Sequence, residues 1–259
     1  MKSDYIFSII QKLRSEIPGK LVEDHNFYSG KATQHNDKLV QACSDGVSGE
    51  LLQHSISGKG NVIIRGKNSS SSKSSLLING DNNIIFLGPH SRLNNSSIRI
   101  TCSNSIFYFG AFSTVESMTA LLSGNDGKIE IGDFCMLSAR IIIDRSDHHS
   151  IYDLSTGHKI NEDRDVEISD HVWISRDVRV SKGSVIGKNS IIGQASLVTG
   201  TLKSSCAYGG VPAKCLREGV TWSRMKSNSI EEMENSDRHK SFLLSVEDIK
   251  NRMELSPSL

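Results

Sequence analysis

The chain has no excess of charge of either sign: its 259 residues carry 30 Lys and Arg against 29 Asp and Glu. Such a balance builds no extended field that would gather nucleic acid or an anionic lipid surface, and neither is expected as a partner. Long hydrophobic runs are missing too. The opening stretch MKSDYIFSIIQKLRSEIPG sets Ile6, Ile9, Ile10 and Leu13 in an amphipathic pattern broken by charge. It lacks the long apolar segment of a signal peptide, and no run approaches the roughly 20 residues that span a bilayer. The stretch reads as a short docking helix. Cysteine is sparse, scattered and odd in number: Cys43, Cys102, Cys135, Cys206 and Cys215 form no C-x-x-C pair. Reduced thiols in a cytoplasmic protein are expected, with Cys135 and Cys215 as small packing residues.

What the chain does have is a six-residue beat. From Val166 it divides into VEISDH, VWISRD, VRVSKG, SVIGKN, SIIGQA and SLVTGT, which aligns Ile168, Ile174, Val180, Ile186, Ile192 and Val198. Each is followed by a small residue: Ser169, Ser175, Ser181, Gly187, Gly193 and Thr199. A branched apolar residue every sixth position, then Ser, Thr or Gly at a corner, is what a parallel β-helix needs when each face is one short strand. The beat already runs through Ile131, Leu137 and Ile143, each with an apolar residue two positions ahead. Between Ile143 and Ile168 the register slips across DRSDHHSIYDLSTGHKINEDRDVE. A solenoid accommodates an insertion only where it swings out of the stack, so this polar segment is expected to project from one edge and to carry functional residues.

Upstream, NVIIRG, SLLING, NIIFLG and SIRI recur between turns rich in Asn, Ser and Gly, which predicts irregular coils continuing the same stack over 51–127. Residues 1–50 are expected to form an N-terminal cap, 128–218 the hexapeptide core with its loop at 144–165, and 219–259 a C-terminal helical extension outside the prism.

The segments SDHHSIYDLSTG, DHVWISRDVRVSKGSVIGKNSIIGQASLVTG and GGVPAKCLRE, in that order and spacing, resemble the left-handed β-helix acyltransferases that use acetyl-CoA. The likeness is strongest to those that O-acetylate bacterial capsular or lipopolysaccharide sugars, and it covers roughly Lys128 to Glu218. The resemblance implies a mainly β fold, a homotrimer with sites between subunits, a carbohydrate acceptor and no resident metal. It also implies that a loop histidine acts as general base while the acceptor hydroxyl attacks the thioester directly, with no acyl-enzyme. An imidazole suits the task because its unperturbed pKa, about 6.5, leaves it partly neutral near pH 7. His149, followed by Ser150 and Ile151, aligns with the base; His148 is the alternative. Asp147 or Asp144 would fix the tautomer, while Asp163 and Asp165 read as solvated loop.

By the same resemblance Trp173, in the VWI pattern, lines the cleft with Tyr152 and His171. Its alternation with Val172 and Ile174 agrees with an outward side chain. Acetyl-CoA would lie along Ser175, Arg176, Gly193, Gln194, Ala195 and Ser196, with Lys214 and Arg217 meeting its phosphates. The sequence departs from the family at Ser175, where Gly is usual, at Gln194-Ala195 in place of Ala-Gly, and at Gly200, for which Lys203 would substitute. The alternatives are N-acetylation of an amino sugar nucleotide and a silent carbohydrate-binding β-helix. A zinc hydratase on this fold needs three converging histidines, a spacing that His148, His149, His158 and His171 lack.

Overall fold

The computed structural model describes residues 53–66 and 68–235, together with the backbone of two short strands, Asn26–Tyr28 and Leu39–Val40. The expected docking helix at Ile6 to Leu13 and most of the extension after residue 235 lie outside the described residues. Among those described, no helix is long and apolar enough to cross a membrane.

Strands of two to five residues wind into a parallel β-solenoid with three sheets, one to each face. The first face runs through Val62–Arg65, Ile84–Leu87, Ile106–Phe109, Lys128–Ile131, Val166–Ile168 and Val185–Ile186. The second includes Met118–Leu122, Ile141–Asp144, Arg179–Val180 and Leu197–Val198; the third includes Met136–Leu137, Trp173–Ile174 and Ile191–Ile192. The expected hexad column is the core. Ile168, Ile174, Val180, Ile186, Ile192 and Val198 are fully buried, as are Ile131, Leu137 and Ile143. Truncating one of these to Ala would cost about 2–5 kcal/mol, because a rigid stack cannot collapse into the cavity.

The pairing register shows how the repeat length changes along the stack. Ile168 pairs with Ile186 and Val180 with Val198, 18 residues on, which is three hexads to a coil. Upstream the repeat is regular but longer: Ile63, Ile85, Phe107 and Ile129 pair in succession at 22-residue intervals. On two of its faces the longer coil holds four- and five-residue strands where most hexad strands have two, so its apolar residues keep no continuous beat of sixes. Between the two regimes Ile131 pairs with Ile168 and Ile143 with Val180, a step of 37 residues that contains the insertion.

One corner carries Asn68, His90, Phe112, Phe134, His171 and Asn189, all left-handed with φ between 55 and 63°. A non-glycine residue there costs about 1–2 kcal/mol. From Phe112 to Asn189 the column offsets this by donating its backbone N–H groups to the preceding coil, as Phe112 does to Pro89 O at 2.9 Å and Phe134 to Ala111 O at 2.8 Å. Ring stacking adds to it, with centroids of His90 and Phe112 at 4.9 Å and of Phe112 and Phe134 at 5.3 Å. Such aromatic pairs contribute about 0.5–1.5 kcal/mol. Inside the coils, buried Asn83 donates its amide to Asn61 Oδ1 at 3.0 Å and to Cys102 O at 2.8 Å, which satisfies both donors of that buried amide.

The chain divides after Thr221 into this solenoid unit and a unit beginning at Trp222. In the second unit the Arg224 guanidinium stands 5.9 Å from the Trp222 ring centre. A helix, Ile230–Asn235, follows, with Ser229 Oγ accepting the Glu232 N–H at 3.0 Å as its N-cap.

Candidate active site

The insertion leaves the second face after Asp144 and rejoins the first face at Val166. A clasp ties its two ends. Arg145 is buried beside the loop base, donating through Nη1 to Ser123 O at 2.8 Å and Gly124 O at 2.7 Å, and through Nε to Asp165 Oδ1 at 3.0 Å. Asp165 Oδ1 also accepts the Lys128 backbone N–H at 2.8 Å. Asp165 is therefore not the merely solvated loop residue expected: it neutralises a buried guanidinium, which would otherwise carry a heavy desolvation cost. Gly127 makes room for this. A Cβ there would sit 1.7 Å from Arg145 Cζ.

Above the clasp the two histidines part company. His148, left-handed at φ 62°, has Nε2 3.0 Å from Asp144 Oδ2 and Nδ1 3.4 Å from Ser123 Oγ. Both ring nitrogens are engaged and tie the loop to the solenoid. His149 is held by its backbone: its N–H donates to Asp147 O at 2.7 Å and its carbonyl accepts Asn161 Nδ2 at 2.8 Å. Its imidazole is exposed and has no hydrogen-bond partner among the described residues. The expected orienting carboxylates do not reach it. Asp144 goes to His148, while Asp147 accepts Lys182 Nζ at 2.6 Å and Asn161 Nδ2 at 2.9 Å. Those two donors, Lys182 first, hold the Asp147 carboxyl below its usual range.

Asn161 is the residue that sequence reasoning passed over. Its one amide donates to Asp147 and to His149 O, and its Oδ1 accepts the Ile151 N–H at 2.7 Å. It brackets His149 on both sides. Lys182 reinforces the bracket by also donating to Glu162 O at 3.0 Å. Beyond it the loop folds into an antiparallel finger, with Tyr152 paired to Lys159 and a turn capped by Asp153, whose carboxylate accepts the N–H of Ser155 at 2.7 Å and of Thr156 at 3.0 Å. The finger exposes four apolar side chains: Ile151 at 52%, Tyr152 at 59%, Ile160 at 61% and Leu154 entirely.

Trp173 stands half-buried on the third face, paired with Met136 and Ile191, and points outward as the alternation predicts. His171 lies at the corner before it, Nδ1 3.0 Å from Asn189 Oδ1. The loop and Trp173 thus belong to different faces of the same chain. At the far end of the third face Ser175 and Gly193 occupy equivalent corners one coil apart, with Ser175 donating to Ile192 O and Gly193 to Tyr208 O. Arg176 O accepts the N–H of Ala195, and Gln194 and Ala195 are exposed. Ser196 is not: it is buried, its hydroxyl donating to Gly193 O at 2.7 Å and accepting the Gly210 N–H at 3.2 Å.

The third face ends in an antiparallel pair, Cys206–Gly209 with Lys214–Glu218, and its register shifts by one residue between Ala207 and Tyr208. The shift sets Lys214 opposite Gly209 and Arg217 opposite Ala207. Directly opposed residues share a side of the sheet, so the two cations, three apart in sequence, point the same way only because of the bulge at Leu216. Neither forms an ion pair among the described residues.

Fold and site together describe a hexapeptide-repeat β-solenoid with a charge-clasped loop. No family model matches the chain. A curated relative, the polysialic acid O-acetyltransferase of Escherichia coli O1:K1 / APEC, is 43% identical over 96 residues, which is 37% of this chain and 31% of the relative. The match therefore spans about a third of that protein's length. Among solved structures, the polysialic-acid-specific acetyltransferase NeuO superposes with a TM-score of 0.56 and 25% identity, covering 78% of this chain and 88% of its own. The polysialic acid O-acetyltransferase OatWY gives 0.57 and 26%, covering 73% and 99%.

Proposed function

We propose that the protein transfers an acetyl group from acetyl-CoA to a hydroxyl of a bacterial capsular polysaccharide, with polysialic acid as the first acceptor to test. The observation that carries this reading is His149: an exposed imidazole with no hydrogen-bond partner among the described residues, on backbone clamped from both sides, in a chain whose relatives are named polysialic acid O-acetyltransferases. In the proposed step a ring nitrogen of His149 takes the acceptor hydroxyl proton as the oxygen attacks the thioester carbonyl. Collapse of the tetrahedral intermediate breaks the carbon–sulfur bond, and the departing thiolate takes the proton from the imidazolium.

The half-buried corners at Ser175 and Gly193 and the cations Lys214 and Arg217, without an ion pair among the described residues, fit an extended thioester cofactor with phosphates at one end. His149 lies on the loop between the second and first faces whereas Trp173 stands on the third, and four apolar side chains are exposed on the finger. Both are accounted for if three chains associate in the cytoplasm and each finger docks beside a neighbour's Trp173. Incubation with labelled acetyl-CoA and a panel of capsular polysaccharides tests the reading. Label is expected in polysialic acid or another surface polymer, released by mild base as an ester; transfer to amines alone would overturn it.

A further inference from the structure

The bulge that aligns Lys214 with Arg217 gathers a different set on the opposite side of the strand pair. There Cys215 faces Tyr208 and Glu218 faces Cys206. The two Sγ atoms and a Glu218 carboxylate oxygen all lie within 4.8 Å of one another. We propose that Cys206, Cys215 and Glu218 bind a thiophilic divalent cation of the zinc class, with water as fourth ligand. Two thiolates bound tetrahedrally at about 2.3 Å stand about 3.8 Å apart, so only a small contraction closes the site. The donor set, two sulfurs and one carboxylate, suits zinc and excludes magnesium and calcium, which take oxygen ligands.

The surroundings show what binding displaces. Cys206 is buried and its thiol donates to Ser204 O at 3.2 Å; Cys215 is exposed and gives an ion a route in. Both thiols lose their protons to solvent when the ion binds, so affinity rises with pH. Lys203 Nζ lies 3.7 Å from Glu218 Oε1 and gives up that contact. The ion then cross-links the strand carrying Lys214 and Arg217 to the last coil. An effect on acetyl-CoA affinity rests on the acetyl-transfer reading; metal binding itself does not.

Cobalt is the probe. Titrating Co2+ into the reduced, whole chain should produce the sulfur-to-cobalt absorption of a dithiolate site, saturating at one ion per chain and bleached by Zn2+. Glu218→Gln should weaken binding tenfold or more. Cys215→Ser, at an exposed position that leaves the buried corner intact, should abolish the sulfur band without changing the melting temperature, and Cys206→Ser should match it in absorbance. A Co2+ spectrum free of sulfur character, a band retained in Cys215→Ser, or rapid closure of both thiols into a disulfide two hydrogens lighter would each overturn the proposal. If the site forms but no acetyl-CoA binds with or without zinc, the metal site stands and the transfer reading falls.

Discussion

Asn161→Ala removes one side chain from an exposed loop, yet it should cost most of the turnover. The residue gives one hydrogen bond to a carboxylate and one to a backbone carbonyl, and accepts one from a backbone N–H; the partners lie at and around His149. A neutral bond contributes about 0.5–1.5 kcal/mol and a bond to a charged group about 1.5–3. At the low end appropriate to an exposed loop, the three together hold roughly 2–3 kcal/mol of loop order. Since about 1.4 kcal/mol is tenfold in an equilibrium, the fraction of loops presenting His149 correctly should fall by roughly 30- to 100-fold, and kcat with it. The solenoid core is untouched, so the melting temperature and the KM for acetyl-CoA should stay near wild type. Asn161→Asp is the sharper variant: it keeps the acceptor for Ile151 but sets a carboxylate against Asp147, and should be no better than Ala at pH 7. Steady-state kinetics with saturating acetyl-CoA read all of this. A wild-type kcat in Asn161→Ala would show that the bracket does not position the base.

His149→Ala should lower kcat by roughly 10²–10⁴-fold with acetyl-CoA binding preserved, whereas His148→Ala should act only through loop order and cost far less; the reverse ranking in single-turnover assays would transfer the role to His148. Lys214→Ala or Arg217→Ala should each raise the KM for acetyl-CoA roughly tenfold or more, as expected from losing about 1.5–3 kcal/mol of charge-assisted contact, while saturating turnover holds. Because the Asp147 carboxyl is held below its usual range, the order it lends the loop is complete above the ordinary carboxylate pKa of about 3.9 and is lost only as pH falls through its lower folded value. The protection of the His149 amide relative to its intrinsic exchange rate should therefore hold at pH 5 and fall well below pH 4, and Lys182→Ala should shift that loss to higher pH. Leu154→Asp with Ile160→Asp should disperse the proposed trimer in light scattering without loss of β signal in circular dichroism, since burying each apolar side chain is worth about 1.5–3 kcal/mol.

How much of this was legible in the residues depends on how far apart the interacting groups lie. The hexad column was readable because a coil of three two-residue strands returns to the same face every 18 residues, and Ile168, Ile186 and their equivalents sit at fixed spacing. The 22-residue coils obey the same physics, but their longer strands and Ser-rich corners dilute the apolar signal, so Ile63, Ile85, Phe107 and Ile129 form a column that six-residue counting cannot find. Within the loop, residue type identified the chemistry and not the pairing. Asp144, Asp147, Asp163 and Asp165 look alike in sequence, and only the fold decides that one meets His148, one meets Lys182 and one meets Arg145. Asn161 was invisible for the same reason, since a lone Asn in a polar loop carries no pattern. The bulge at Leu216 is the clearest case. Lys214 and Arg217 were expected to act together, although a spacing of three puts residues of a regular strand on opposite sides; one extra residue in the register aligns them and, by the same displacement, turns Cys215 and Glu218 toward Cys206.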